Sequence, residues 1–304
     1  MDGILSIHKP SGPTSFSTVA RVKRLVREPK IGHGGTLDPL ARGVLPVLLG
    51  QATRLAEYLM EYRKTYHAEV ELGVTTDSYD AEGIVTGHGN VLGITWERVE
   101  AALAQFRGQI RQKPPIYSAL KHEGKPIYRL ARGGNLVEPE SRPAMLYRLE
   151  LVEFRSPLIT FDVECGKGTY IRSLAHELGE TLGCGAYLKN LVRTGYGPFD
   201  IKDAITLERL EDAVKDGSWH SLVQPMDTVL SSWEKVKLSN AQIDSVRHGV
   251  SVDLDTSPDV KRLRAYDGNN LFAALLEYDA ESRSWRPQKV FRQPQAEPEK
   301  GPNY

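Results

Sequence analysis

The stretch that decides the reading is Gly32-His33-Gly34-Gly35-Thr36-Leu37-Asp38-Pro39-Leu40-Ala41-Arg42-Gly43. Three glycines crowd one carboxylate, and a proline follows it at once. Asp-Pro starts a turn, while glycine accepts positive φ and lets another group approach the backbone closely. Taken alone, such a run fits a structural turn. It fits equally a loop that aims a fixed carboxylate at a ligand.

The chain on either side alternates between helical and strand periodicity. A Ser-Gly-Pro-Thr-Ser turn opens residues 11–28, where Phe16, Val19, Val22 and Val26 recur at helical spacing and Arg21, Arg24 and Arg27 form a second stripe. The spacing predicts a basic amphipathic helix with those four apolar residues inward. A second helix is expected over about residues 51–61. Tyr66, Ala68, Val70 and Leu72 then alternate with Thr65, His67, Glu69 and Glu71, the pattern of a half-buried strand with Tyr66 on its apolar side. A helix is expected around Trp96–Phe106, then strand and loop through a basic stretch to Gly134. Ile159, Phe161, Val163 and Cys165 mark another strand, ending in Gly166-Lys167-Gly168. Thr169 is a candidate N-cap for a helix with Ile171, Leu174, Ala175, Leu178 and Leu182 inward, and Gly183 is its stop.

From Glu234 onward short strand-like runs alternate with turns, which predicts a small all-β module. The expected division is a core over residues 1–230, the module over 231–292 and a flexible, Pro-rich tail over 293–304. The expected fold class is α+β, a mixed sheet followed by a small barrel.

Composition narrows the function classes. With 40% apolar and 26% charged residues in a 304-residue chain, an ordinary globular protein is expected. No apolar run approaches the roughly 20 residues that span a bilayer, and the N-terminus lacks a signal-peptide pattern. Cys165 and Cys184 form no metal or disulfide framework, so a reducing cytoplasm is the expected compartment. The formal net charge is zero, but its distribution is uneven. Residues 1–66 carry ten Lys/Arg against five Asp/Glu, residues 105–134 seven against one, and residues 67–103 one against seven. A polyanion responds to such local fields rather than to the average.

The run GHGGTLDPLARGVLP resembles the signature of the bacterial tRNA pseudouridine-55 synthases, the TruB family. KPSGPTS, LGVTTDSYDAEG, PPIYSALKHEGKPIYRLAR, GKGTYIRSLAHELGE and LGCGAYLKNLVRT are similar to further family motifs, in the family's order. The resemblance is strong over residues 3–200; more weakly, the C-terminal part resembles the RNA-binding module called PUA. It implies isomerisation of a uridine in the T-loop of tRNA, with the T-stem-loop as partner, no obligatory protein partner, no cofactor and no metal. Asp38 is implied as the catalytic carboxylate, and an ionised carboxylate can add to, or deprotonate, a carbon centre. Tyr66 is implied to stack on the uracil and take the C5 proton. Arg172 is implied to pair with Asp38 through a bidentate fork. Lys9, Tyr170 and Leu191 match further pocket positions, Asp80 an acidic member of the same network, and His33 a residue that handles the flipped nucleotide. Arg42 departs from the family, which usually has Thr there.

Other chemistries find less support. His33-Gly34-Gly35 lacks the G-x-S-x-G elbow that a lipase needs. His176-Glu177 lacks the second His of a zincin, and Gly166-Lys167-Gly168 is not a Walker loop. Two alternatives share the fold: an RNA-binding or RNA-folding protein without catalysis, and a guide-dependent synthase.

Overall fold

The computed structural model describes residues 1–117, 121–122, 125–127, 139–256 and 259–292. The tail and most of the basic stretch leading to Gly134 lie outside the described residues. The chain divides into two compact units between Gln224 and Pro225.

The first unit is built on one mixed sheet. Its strands are β1 (Gly3–Lys9), β2 (Ile31–His33), β3 (Arg42–Leu49), β4 (Lys64–Leu72), β7 (Gly108–Gln112), β10 (Arg142–Arg155), β11 (Leu158–Cys165), β12 (Ala186–Tyr196) and β13 (Phe199–Asp200). The main path runs β1-β3-β12-β4-β11-β10-β7, with β2 beside β3 and β13 beside β12. The β3–β12 contact is parallel and its neighbours are antiparallel. Two small hairpins complete the strands: β5 (Val74–Thr76) with β6 (Val85–His88), and β8 (Lys121–His122) with β9 (Lys125–Pro126).

Helices pack on the sheet in two clusters. α1 (Ser15–Val26) and the helix Leu207–Lys215 bury Val19, Val22 and Leu210 against Leu5, Ile7, Leu45 and Val47. α2 (Ala56–Met60) leads into β4. α3 (Trp96–Ala104) and α4 (Ile171–Leu182) bury Val99, Leu103, Leu174 and Leu178 against Ala68, Val70, Phe161 and Val163. The alternation read in the two strands is present: Ala68, Val70 and Leu72 of β4 are buried, as are Ile159, Phe161, Val163 and Cys165 of β11. Both cysteines are free thiols and buried.

Several local expectations are corrected. Phe16 is 80% exposed, and Ser15 takes the inward place at the start of α1. The reason is a backbone need: the Ser15 hydroxyl donates to the Leu37 carbonyl at 2.9 Å and accepts from the Leu37 N–H at 2.8 Å. Thr169 does not cap α4. Tyr170 holds the N-cap position without a side-chain bond, and the Thr169 hydroxyl turns back to the Gly166 carbonyl at 3.1 Å. The helix expected over 51–61 is a 3-10 turn over Gly50–Leu55 followed by α2.

The second unit contains a four-stranded sheet in the order β14 (Glu234–Lys237), β15 (Arg262–Tyr266), β16 (Phe272–Asp279), β17 (Ser284–Val290). It is not all-β. The helix Asn240–Arg247 starts at Ser239 with a capping box to Gln242, and Ile243 and Val246 join the unit's core. Among the described residues no helix is long and apolar enough to cross a membrane.

Gly43 shows how closely β3 and β12 meet. Its φ is +105°, and an added Cβ would lie 2.2 Å from the Arg193 carbonyl oxygen. Strain and collision act together, so Gly43→Ala should destabilise the protein by about 2–4 kcal/mol. Urea unfolding of the two proteins measures this; a change below about 0.5 kcal/mol would show that the two backbones can separate freely.

Candidate active site

Asp38 sits in the turn between β2 and β3, and the loop is held from several sides. Ser15 bonds both backbone groups of Leu37. Lys9, wholly buried at the end of β1, donates to the carbonyls of Pro10 (2.9 Å), Pro39 (3.2 Å) and Ala41 (2.6 Å). Burial pulls the Lys9 ammonium down to about 8, yet three carbonyls absorb its three protons and the cation persists at neutral pH. Lys9 therefore stands behind the loop as a clamp. It lines neither of the two cavities beside Asp38, although a pocket position was expected of it.

Of the two uses expected of the glycines, the structure shows close approach and not positive φ. Gly32, Gly34 and Gly35 do not adopt positive φ. Gly34 packs on Leu59 and Gly35 on the Tyr196 ring, so tightly that an added Cβ would lie 2.4 Å and 2.9 Å from them. They allow close packing under the carboxylate.

Arg172 is the centre of the site. It projects from the first turn of α4, whose entry is set by Gln112: the Gln112 side chain accepts from the Tyr170 N–H at 2.8 Å and donates to the Tyr170 carbonyl at 2.9 Å. The guanidinium spans two carboxylates. Nη2 donates to Asp38 Oδ1 at 3.1 Å, and Nε lies 3.0 Å from Asp38 Oδ2, in ion-pair contact but off the hydrogen-bond line. Nη1 meets Asp80 Oδ2 at 3.3 Å and the Ser78 carbonyl at 3.3 Å, and Nη2 also donates to the Tyr117 carbonyl at 3.1 Å. Asp80 is held in turn by the Ser78 hydroxyl at 2.6 Å and the Glu82 N–H at 3.1 Å. The side chains of Arg172 and Asp80 are 6% and 4% exposed, against 38% for Asp38. The arrangement buries Arg172 and Asp80 and leaves the Asp38 carboxylate accessible.

Asp38 forms part of the wall between two cavities. The smaller, about 270 Å³, also meets Tyr66, Tyr170, Arg172, Leu191 and Arg193. The larger, about 770 Å³, meets His33, Asp80, Tyr117 and Arg172. Of the residues picked from sequence, Tyr66, Tyr170 and Leu191 thus join Asp38 and Arg172 at one cavity, while His33 and Asp80 line the other. Burial pushes the Tyr66 phenol up to about 12, with Arg193 working against it. Burial, then Arg193, hold the His33 imidazole below its usual value, and its Nδ1 accepts from the Gly35 N–H at 3.3 Å.

Arg193 escaped the sequence reading. It lies inside the quoted LKNLVRT, but a lone Arg in a strand usually faces solvent. Its signal was positional: it sits two residues after Leu191, on the same face of the strand. Among the described residues no cluster of His, Cys, Asp and Glu could hold a metal ion.

The fold and the carboxylate gripped by an arginine define the class: a pseudouridine synthase, an RNA isomerase. A chain of the Cbf5-Nop10-Gar1 complex has this fold, with a TM-score of 0.73 and 28% identity over 95% of this chain and 85% of that one. A chain of an H/ACA RNP bound to a substrate RNA containing 2'-deoxyuridine gives 0.71 and 26%, over 96% and 85%. The model of the TruB family pseudouridylate synthase N-terminal domain matches residues 23–171, and that of the tRNA pseudouridylate synthase B C-terminal domain matches residues 172–231. A tRNA pseudouridine synthase B of Dehalococcoides mccartyi is 45% identical over 96% of this chain and 97% of its own length. Its counterpart from Stutzerimonas stutzeri is 42% identical over 93% of each. The chain belongs to the TruB family.

Replacing the fork at position 172 tests the geometry. A lysine keeps one charge but cannot reach two carboxylates and two carbonyls together. Arg172→Lys is expected to fold and to lose about a hundredfold or more in single-turnover rate, the scale of a misplaced reacting group. Turnover within threefold of the parent would exclude a need for the fork.

Proposed function

We propose that this chain converts uridine 55 in the T-loop of tRNA to pseudouridine, with Asp38 as catalytic carboxylate. The observation that carries the reading is the Asp38 carboxylate held by a buried Arg172 at the wall of a cavity shared with Tyr66 and Leu191. The cavity lies at the small end of the range for ligand clefts, which suits one extruded nucleotide rather than a duplex.

The reaction is an isomerisation. The C1′–N1 bond of the target breaks, the uracil turns, a C1′–C5 bond forms, N1 gains a proton and C5 loses one. Nothing is oxidised or reduced, so no cofactor is called for. Asp38 is the group at hand to attack or deprotonate a carbon of the nucleotide. Tyr66 is placed to lie against the uracil and to receive the C5 proton, while Tyr170 and Leu191 shape the same cavity. His33, neutral because its acidity is raised by burial, would occupy space that the extruded nucleotide leaves. Asp80 would hold Arg172 in register, and Lys9 would hold the loop.

A guide-dependent assembly is the second reading, because a chain of an H/ACA RNP structure shares the fold. The higher identity to the named tRNA enzymes, over nearly their whole length, favours direct action on tRNA. Incubating the protein alone with an unmodified tRNA transcript and mapping pseudouridine by position decides between them: conversion at position 55 alone supports the proposal, and no conversion without added protein or guide RNA overturns it.

Within this scheme, Asp38→Asn is expected to abolish turnover and to leave the tRNA dissociation constant within about threefold, because affinity comes mainly from phosphate contacts. Tyr66→Phe should keep the stack and lose about 10²- to 10⁴-fold in rate, the worth of a placed proton acceptor. Full activity in either variant removes that residue from the mechanism.

The unit after Gln224 is proposed to be a PUA-like grip on the RNA away from the target base. Lys235, Lys237, Arg247, Lys261 and Arg262 are among its exposed cations, whereas Arg264 is buried and pairs with Asp227 at 3.1 Å. Truncation after Gln224 should leave a protein that still modifies tRNA, binds it more weakly, and shows a shallower dependence of log Kd on log salt. Equal affinity and equal slope would mean that this unit does not touch RNA.

A further inference from the structure

We propose that Arg193 is a positioning residue for Tyr66: it fixes the phenol at the cavity wall and favours the phenolate that receives the C5 proton. The inference rests on the reading of Tyr66 as the group that takes that proton.

The placement comes from the sheet. Arg193 on β12 stands directly opposite Tyr66 on β4 in the ladder, and both side chains face the smaller cavity. Arg193 is 1% exposed, an unusual position for a guanidinium. Its Nε donates to the Val44 carbonyl at 2.7 Å and its Nη2 to the Gly35 carbonyl at 3.2 Å, and the group lies 4.8 Å from the centre of the Tyr196 ring. Those bonds tie β12 to β3 and to the glycine run before Asp38. Arg193 is therefore locked to the loop that carries the carboxylate and to the strand that carries the tyrosine.

Its charge is unusual in a second respect. Arg172 is neutralised by two carboxylates. Arg193 donates to two carbonyls and lies beside the Tyr66 and Tyr196 phenols, and no ion pair involves it among the described residues. A buried cation without an anion favours negative charge on any neighbour that can bear it. The neighbours respond accordingly. Behind the effect of burial, Arg193 lowers the ammonium of Lys9 and of Lys64 and the imidazole of His33, and it draws the Tyr66 phenol down against desolvation. Of the other groups facing Tyr66, Asp38 from the loop opposes a phenolate, and the Cys165 thiol from β11 would do so only if it were ionised. Cys165 is itself pushed up to about 11 by burial and stays a neutral thiol. Tyr196 stays a neutral phenol, raised mainly by burial. Arg193 is thus the cation that offsets these neighbours at the Tyr66 oxygen.

The step it assists balances as follows. The C5–H bond breaks, its electron pair restores the C5–C6 double bond, and the proton passes to the phenolate oxygen. Tyr66 becomes a neutral phenol and later returns that proton to water. Before the step the phenol must ionise; burial opposes this, and the Arg193 charge offsets part of that opposition.

The test places 3,5-difluorotyrosine at position 66. Its phenol is more acidic than that of tyrosine, and its fluorines report ionisation by ¹⁹F NMR. In full-length protein, Arg193→Gln is expected to move the difluorophenol midpoint up by at least one pH unit. In the Tyr66 enzyme the same substitution should lower single-turnover rate on tRNA at neutral pH by at least tenfold, and by clearly less when the ring is difluorinated. Arg193→Lys, which keeps the charge, should stay within one half unit of the parent midpoint and serves as the comparison if Arg193→Gln does not fold. A midpoint that does not move in Arg193→Gln, or an Arg193→Lys midpoint shifted by a full unit or more, overturns the proposal. So does a rate loss equal with both rings. Tyr66→Phe separates the two levels: full activity there removes the base assignment itself, while an inactive Tyr66→Phe with an unmoved midpoint removes Arg193 alone.

Discussion

One buried guanidinium holds this site together. Arg172 is bonded to two carboxylates and two backbone carbonyls from three separate segments: the Asp38 loop, the Ser78–Asp80 turn and Tyr117. Breaking a buried pair of this kind leaves an unmatched charge in a place that water reaches poorly, which is strongly unfavourable. The three segments are therefore obliged to close around the arginine together. Everything that fixes α4 also fixes the carboxylate: the Gln112 clamp at its first turn, and the packing of Leu174 and Leu178 onto the sheet.

The sheet sets the second constraint. Tyr66 and Leu191 reach one cavity because β4 and β12 are neighbours, with Leu191 opposite Ala68 and Arg193 opposite Tyr66. Side chains alternate along a strand, so a slip of one residue would turn Tyr66 and Arg193 away from the cavity. Gly43 admits β12 to within contact of β3, and Lys9, at the end of the adjoining strand, holds the carbonyls of the loop that follows. The Asp38 loop, central strands and helix start thus form one mechanically continuous unit. The two arginines differ in their partners: Arg172 is neutralised by acids, while Arg193 donates to carbonyls and has no ion pair among the described residues.

Much of this was legible before any coordinates. Period-two alternation in residues 65–72 and 159–165 identified two central strands, because burial on one face of a sheet leaves that pattern. Gly183 marked the end of α4 at φ +77°, and Asp38, Tyr66 and Arg172 stood out through ordered motifs. The misreadings share one cause. Phe16 and Thr169 were judged by residue type and local spacing, whereas each is governed by a partner distant along the chain or by a carbonyl needing a donor. Ser15 displaced Phe16 because Leu37, 22 residues away, required both a donor and an acceptor. The capping pair Ser239 and Gln242 was present in the sequence of the C-terminal unit and announced a helix that the run of strand-like segments obscured.

The sequence by itself determined the α+β class, the family, and the principal strands and helices, because these rest on local periodicity and on ordered motifs. Only the tertiary structure decided what touches what. It brought Arg172 between Asp38 and Asp80, put Lys9 behind the loop rather than in the cavity, and set the unpaired charge of Arg193 opposite Tyr66. The physical reason is separation along the chain. Arg172 lies 134 residues from Asp38, and Arg193 lies 149 from Val44, whose carbonyl it bonds. Closure over such distances is chosen by packing of the whole sheet and by the need to satisfy buried charge, and neither leaves a local signature.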